Sequence, residues 1–130
     1  MGDKRVSSGA VWEDRVGYSR ALRRGEHVYV AGTLGLLPGG DIAGDAYEQT
    51  RRALEIISRA LSDAGSAIEH VTRTRMYILD FADSEAVGRA HLEVFRRIRP
   101  AATMVAVSGL AHPAALVEVE VEALIPQDAR

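Results

Sequence analysis

Residues 116–124 read Leu-Val-Glu-Val-Glu-Val-Glu-Ala-Leu, with valine and glutamate alternating without a break from 117 to 122. A strand sends successive side chains to opposite faces, so one side of this segment is apolar and the other carries three carboxylates in a row. Charges of one sign at that spacing repel, and the acidic side must face water or cations. Residues 71–79 (VTRTRMYIL) supply cations. They also read as a strand, with Arg73, Arg75 and Tyr77 on one face and Thr74, Met76 and Ile78 on the other. Aligned in one sheet, the two strands share an apolar face covered by helices and a charged face left open, and function is expected on the charged face.

The helices are written in the intervening chain. Asp45 followed by Glu48 is a capping-box arrangement, and Ala46, Ala53, Leu54, Ile57, Ala60, Leu61 and Ala64 keep helical spacing up to Gly65, the expected stop. A second helix starts at Asp83 or Ser84, carries an apolar stripe through Val87, Ala90, Val94, Phe95 and Ile98, and ends at Pro100. Residues 18–23 and 27–33 read as two strands joined by a turn at Gly25. In the second of these, Val28 and Val30 point one way, and His27, Tyr29, Ala31 and Thr33 the other. Residues 103–107 form a further strand. The first dozen residues read as a short edge strand or an ordered arm, with Trp12 packed under a loop. The glycine-rich stretch 34–44 is a loop and not a phosphate cradle, because no Lys-Ser/Thr pair follows it and the GxGxxG spacing is missing.

The order β-β-α-β-α-β-β predicts a two-layer α+β domain with two helices on one face of a mixed β-sheet. At 130 residues and 47% hydrophobic content, a single domain over residues 1–130 with a real core is expected. Its open face, with Tyr29, Tyr77, Met104 and Val71 among the charges, is a poor surface for a monomer, so burial in a homo-oligomer follows. No apolar run approaches the roughly 20 residues of a membrane span, and no signal core follows Met1 to Arg5. A cytoplasmic protein with no membrane partner is therefore expected.

The absence of cysteine excludes disulfides, thiol nucleophiles and thiolate metal sites. A net charge of −2, from 16 basic and 18 acidic residues, gives no footprint for nucleic acid. His27, His70, His91 and His112 lack ligand spacing with carboxylates, so no metal is expected.

Several blocks resemble the signature segments of the Rid/YjgF family: Gly17-Tyr18-Ser19-Arg20-Ala21, Ala31-Gly32-Thr33, Gln49 through Leu54, Tyr77 through Asp80, Arg99-Pro100-Ala101, and Leu116 through Glu120. They stand in the family's order and cover the chain from about Gly17 to Leu124. The resemblance implies a chorismate-mutase-like (YjgF-like) fold, a homotrimer whose sheets line a central barrel, and small-molecule sites in the clefts between subunits. Enzymes of the family's best-known branch hydrolyse enamines and imines of 2-amino acids to keto acids and ammonia, without a cofactor. In them a glutamate of the last strand positions the attacking water, and an arginine right after a Pro-Ala pair grips the substrate carboxylate. The glutamate carries over as Glu118, and the tyrosine of the first block as Tyr18. The arginine does not: its place is taken by Ala102. Ala31 stands where relatives often have serine, and Gly88 where many have a helical asparagine.

On this resemblance Glu118 and Tyr18 are the candidate catalytic pair, and Arg75, Ala31, Gly32, Thr33, His91, Ala102 and Met104 the candidate substrate-binding residues. Ala31, Ala102, Met104 and Ala106 make a smaller, more apolar pocket. Arg75, then Arg20, are the cations that can stand in for the missing guanidinium. Glu118 has two readings: an ion pair with Arg73 or Arg75, or a carboxylate with raised pKa that acts on water. His91 also has two: a hydrogen-bonded, partly buried residue, or a pocket acid or base. The expected function is hydrolysis of an imine, enamine or related C–N substrate in an inter-subunit cleft, with weak action on free 2-imino acids. The alternative is a non-catalytic metabolite-binding trimer. Ribonuclease action, a label the family often carries, is disfavoured by the acidic sheet face.

Overall fold

A computed structural model describes residues 2–129. In chain order the elements are β1 (Lys4–Val6), α1 (Val11–Val16), β2 (Ala21–Arg24), β3 (His27–Thr33), α2 (Ala46–Asp63), β4 (Val71–Ile78), α3 (Ser84–Phe95), β5 (Ala101–Ala106) and β6 (Val117–Leu124). The strands form one six-stranded sheet in the order β1-β2-β3-β6-β4-β5, parallel between β4 and β5 and antiparallel elsewhere. The alternating segment thus lies inside the sheet, between β3 and the basic strand β4. Its Val117, Val119, Val121 and Ala123 are buried, and its glutamates reach the opposite face half-buried.

Helices α2 and α3 pack together over the apolar face. Ala53, Leu54, Ile57, Ala60 and Leu61 of α2, with Val87, Ala90 and Phe95 of α3, are buried. The capping box is realised at Asp45, whose carboxylate accepts from the Glu48 backbone N–H at 2.9 Å. Gly65, at φ 84°, takes the left-handed conformation that stops the chain after α2. Among the described residues no helix is long and apolar enough to cross a membrane.

Four local expectations are corrected. The N-terminal arm holds a helix, α1, besides the edge strand β1, and Trp12 lies on it 44% exposed, not packed away under a loop. Tyr18 precedes β2 and is not part of it. Val71 and Met104 belong to the helix-covered side: Val71 is buried, and Met104 pairs with Met76 and packs against the core. For Val71 the cause is an irregularity in the ladder with β6, where Val71 pairs with Ala123 and Arg73 with the adjacent Glu122. One extra residue on β4 reverses the alternation there. Thr33 changes face for the same reason. Between Val30, opposite Val121, and Thr33, opposite Val119, β3 has one residue more than β6, so Thr33 turns inward and is buried.

Candidate functional site

The bulge in β3 brings Gly32 against β6. Glu118 Oε2 lies where a Cβ on residue 32 would be, so only glycine leaves room for that carboxylate. Arg20 stabilises the bulge from below. Its Nη1 donates to Gly32 O at 2.7 Å and to Thr33 Oγ1 at 3.0 Å, and its Nη2 donates to Tyr18 Oη at 3.2 Å. Its Nε lies 3.6 Å from Glu13 Oε2 on α1, and both side chains of this pair are almost wholly buried. Glu13 in turn accepts from Ser8 N at 3.2 Å and Ser8 Oγ at 2.5 Å. These bonds to the charged form outweigh the desolvation that would raise it, and the Glu13 pKa is lowered. Arg20 is therefore a structural hub joining α1, Tyr18 and the β3 bulge.

Around this hub is a cavity of about 560 Å3, lined by Tyr18, Ala31, Gly32, Thr33 and Glu118 among others, with Trp12 and Val16 of α1 as one wall. The 108–115 loop closes another side through Ala111 and His112. That loop is tied to α2 by the buried Gln49, whose Oε1 accepts from Leu116 N at 2.8 Å and whose Nε2 donates to Ala114 O at 3.2 Å and Gly44 O at 3.1 Å. His112 Nδ1 accepts from Ala114 N at 3.0 Å, which leaves the hydrogen of a neutral ring on Nε2. A second hollow, of about 520 Å3 and lined by Tyr77, Leu110 and Glu120, shares Ala111 and Glu118 with the first. Glu118 stands at the partition between the two.

The acidic row of β6 is paired one step out of line. Tyr77 lies beside Glu118 in register but donates to Glu120. Arg75 lies beside Glu120 but makes its 2.8 Å bond to Glu122, with Glu120 at 3.7 Å. Glu118 is the carboxylate left over. Burial raises its pKa, the nearby Glu120 raises it further, and Arg20 pulls it partly back. Of the two sequence readings of Glu118, this geometry favours the shifted carboxylate over an ion pair with Arg75.

Tyr18, Ala31, Gly32, Thr33 and Glu118 are brought together. The other candidates lie elsewhere in the chain. Arg75 is held within the acidic row and lines neither hollow. His91, Ala102 and Met104 are on the helix side of the sheet near its β5 edge: Thr74 pairs with Ala102, and Thr74 Oγ1 lies 2.9 Å from His91 Nε2. His91 also packs on Phe95, with ring centroids 4.5 Å apart, and burial lowers its pKa. That is the hydrogen-bonded, partly buried histidine of the first reading.

Sequence reasoning missed Trp12, Glu13 and His112. For α1 a signal was present, since Trp12 and Val16 are four apart and Gly17 follows as a stop. Among the described residues no group of three or more His, Asp or Glu is placed to hold a metal ion.

The endoribonuclease L-PSP family model matches residues 12–125. An uncharacterized protein of Streptomyces coelicolor is 43% identical over 123 residues, covering 92% of this chain and 90% of that one. The 3-aminoacrylate deaminase RutC of Acinetobacter baylyi is 39% identical over 104 residues, covering 78% and 82%. A crystal structure of a YjgF/YER057c/UK114 family member from Mycobacterium tuberculosis superposes with a TM-score of 0.88 at 43% identity, covering 95% of this chain and 100% of that one. On this coverage by the family model, by relatives and by fold, the chain belongs to the Rid/YjgF family, the proteins described by the endoribonuclease L-PSP model.

Proposed function

We propose that the protein is a cofactor-independent hydrolase of an imine, enamine or related C–N substrate, with Glu118 as the group that activates water. The observation that carries this reading is the leftover, partly desolvated carboxylate of Glu118 at the partition of two hollows. A carboxylate of raised pKa is a stronger base, and it accepts a proton from water as the water oxygen adds to the C=N carbon. That proton passes to nitrogen to give a carbinolamine. Glu118 then takes the hydroxyl proton and delivers it to nitrogen as well, so that the C–N bond breaks with its electron pair leaving on nitrogen as ammonia, the C=O bond forms, and Glu118 ends ionised as it began. The products are a carbonyl compound and ammonia. An enamine enters the same sequence after taking a proton on carbon. Tyr18, whose oxygen accepts from Arg20, keeps its own O–H to donate to the substrate. The relative named for deamination of 3-aminoacrylate, itself an enamine, supports this bond class.

Ala102 provides no bidentate clamp, and Arg20 is committed to Gly32, Thr33, Tyr18 and Glu13. Free 2-imino acids are therefore poor substrates, and imines without a carboxylate are better ones. The working unit is a homotrimer. The residues His91, Ala102 and Met104 lie across the sheet from Glu118, so they share a cleft with it only at a subunit boundary, and β5 is an exposed edge that a neighbouring copy would cover.

Ammonia release is measured with 2-iminopropionate generated in place by an amino-acid oxidase, and with carboxylate-free imines generated by an amine oxidase. Acceleration of the second kind, lost at least about a hundredfold in Glu118→Gln, is the expected result. No acceleration of either, with ligand binding indifferent to Glu118→Gln, assigns the protein instead to non-catalytic metabolite binding. That second reading is favoured by the complete engagement of Arg20.

A further inference from the structure

We propose that the ligand of this cleft is an amphiphile: a polar C–N head at Glu118 joined to a hydrocarbon or aromatic tail that lies under α1. This rests on the hydrolase reading for the head, and adds the tail from the wall of the larger hollow. Val11, Trp12 and Val16 from α1, Leu34 and Leu36 from the glycine-rich loop, and Ile56 from α2 converge on that hollow from three separate segments. Val16 is 68% and Trp12 44% exposed, so these groups are left open and not spent on the core.

The polar groups of the same wall are turned away from the space. Ser8 Oγ donates to Glu13, Thr33 Oγ1 donates to Ala31 O at 2.7 Å while accepting from Arg20, and the nitrogens of Arg20 are all directed at protein partners. Hydrogen-bonding capacity remains where Glu118, the Tyr18 hydroxyl and His112 Nε2 stand. A concave space of about 560 Å3 is the size of a small-molecule site and not of a flat subunit contact. A ligand that matches it is polar at the Glu118 end and apolar over the rest, and a carboxylate at its head would meet Glu118 with Arg20 already committed to protein partners.

Trp12 is the single tryptophan of the chain, so its emission reports occupancy directly. The test titrates the full-length protein with straight-chain primary amides from acetamide to octanamide, and with the matching carboxylates, and follows that emission. The expected result is affinity rising about three- to fourfold per methylene, with amides bound more tightly than carboxylates of equal length. The slope persists in Glu118→Gln and flattens in Ile56→Ser and in Val16→Gln, the latter at an exposed position where folding is not at stake. Affinity independent of chain length overturns the proposal, as does a slope unchanged in both wall variants. Emission that follows protein concentration and ignores ligand also overturns it, by assigning the wall to a second copy of the chain. Hydrolysis of carboxylate-free imines with a flat slope removes the tail and leaves the proposed activity. A steep slope without hydrolysis does the reverse.

Discussion

At Glu118, the strand that makes the fold and the chemistry proposed for it meet in one side chain. Its two row neighbours are served by Tyr77 and Arg75. Its own ionisation is opposed by burial and by Glu120. A carboxyl whose folded pKa is raised contributes stability that is fully present below its unfolded pKa and is lost as pH rises through the folded value. Glu118→Gln, which never ionises, is therefore more stable than the parent at neutral pH, and the gap closes as pH falls through the raised value toward the ordinary glutamate range. Urea denaturation of both proteins at pH 7 and pH 4 measures this. Gly32→Ala is expected to lose hydrolysis as Glu118→Gln does, because the added methyl takes the place of Oε2. Its stability should stay within about 1 kcal/mol of the parent, since the group displaced is the end of a flexible side chain. Paired activity assays and melts distinguish the two effects.

Among the elements, Gln49 is where packing and site meet. Gln49→Ala leaves the Leu116 N–H and the Ala114 carbonyl without their partner, and a cost of about 3 kcal/mol is expected from a denaturation curve. Hydrogen exchange at Ala114 and Leu116 should quicken more than within α3. The long elements were legible because each carries a strong repeat or cap: valine against glutamate in β6, and Asp45 with Glu48 at α2. Side-chain direction at Val71 and Thr33 was not, because a bulge depends on how many residues the partner strand has, which a strand's own alternation does not record. The six residues of α1 carry only one spacing signal, the pair Trp12 and Val16 before Gly17, and no side chain caps the helix at Ala10. Glu118, Tyr18 and residues 31–33 were found through family resemblance. Arg20 was read as a spare cation, whereas its partners, scattered from Glu13 to Thr33, make it a structural centre.

For the whole molecule, the proposed trimer rests on the open face. Across it Val105, Tyr77 and Glu118 stand in one row, and Arg73, Glu122 and Tyr29 in another. Tyr29 is 46% and Val105 41% exposed in the isolated chain. Light scattering is expected to give three times the mass of the chain, and Val105→Asp, which sets another carboxylate beside the acidic row, to give one. The two halves of the proposed ligand rest on separable pieces of polypeptide. The carboxylate proposed to activate water is rooted mid-sheet, whereas one side of the wall proposed for the tail is a short peptide between β1 and β2 latched by Glu13. On that proposal, exchanging Val11, Trp12 and Val16 while Ser8 and Glu13 stay is expected to retune the tail preference without altering the sheet that carries Glu118.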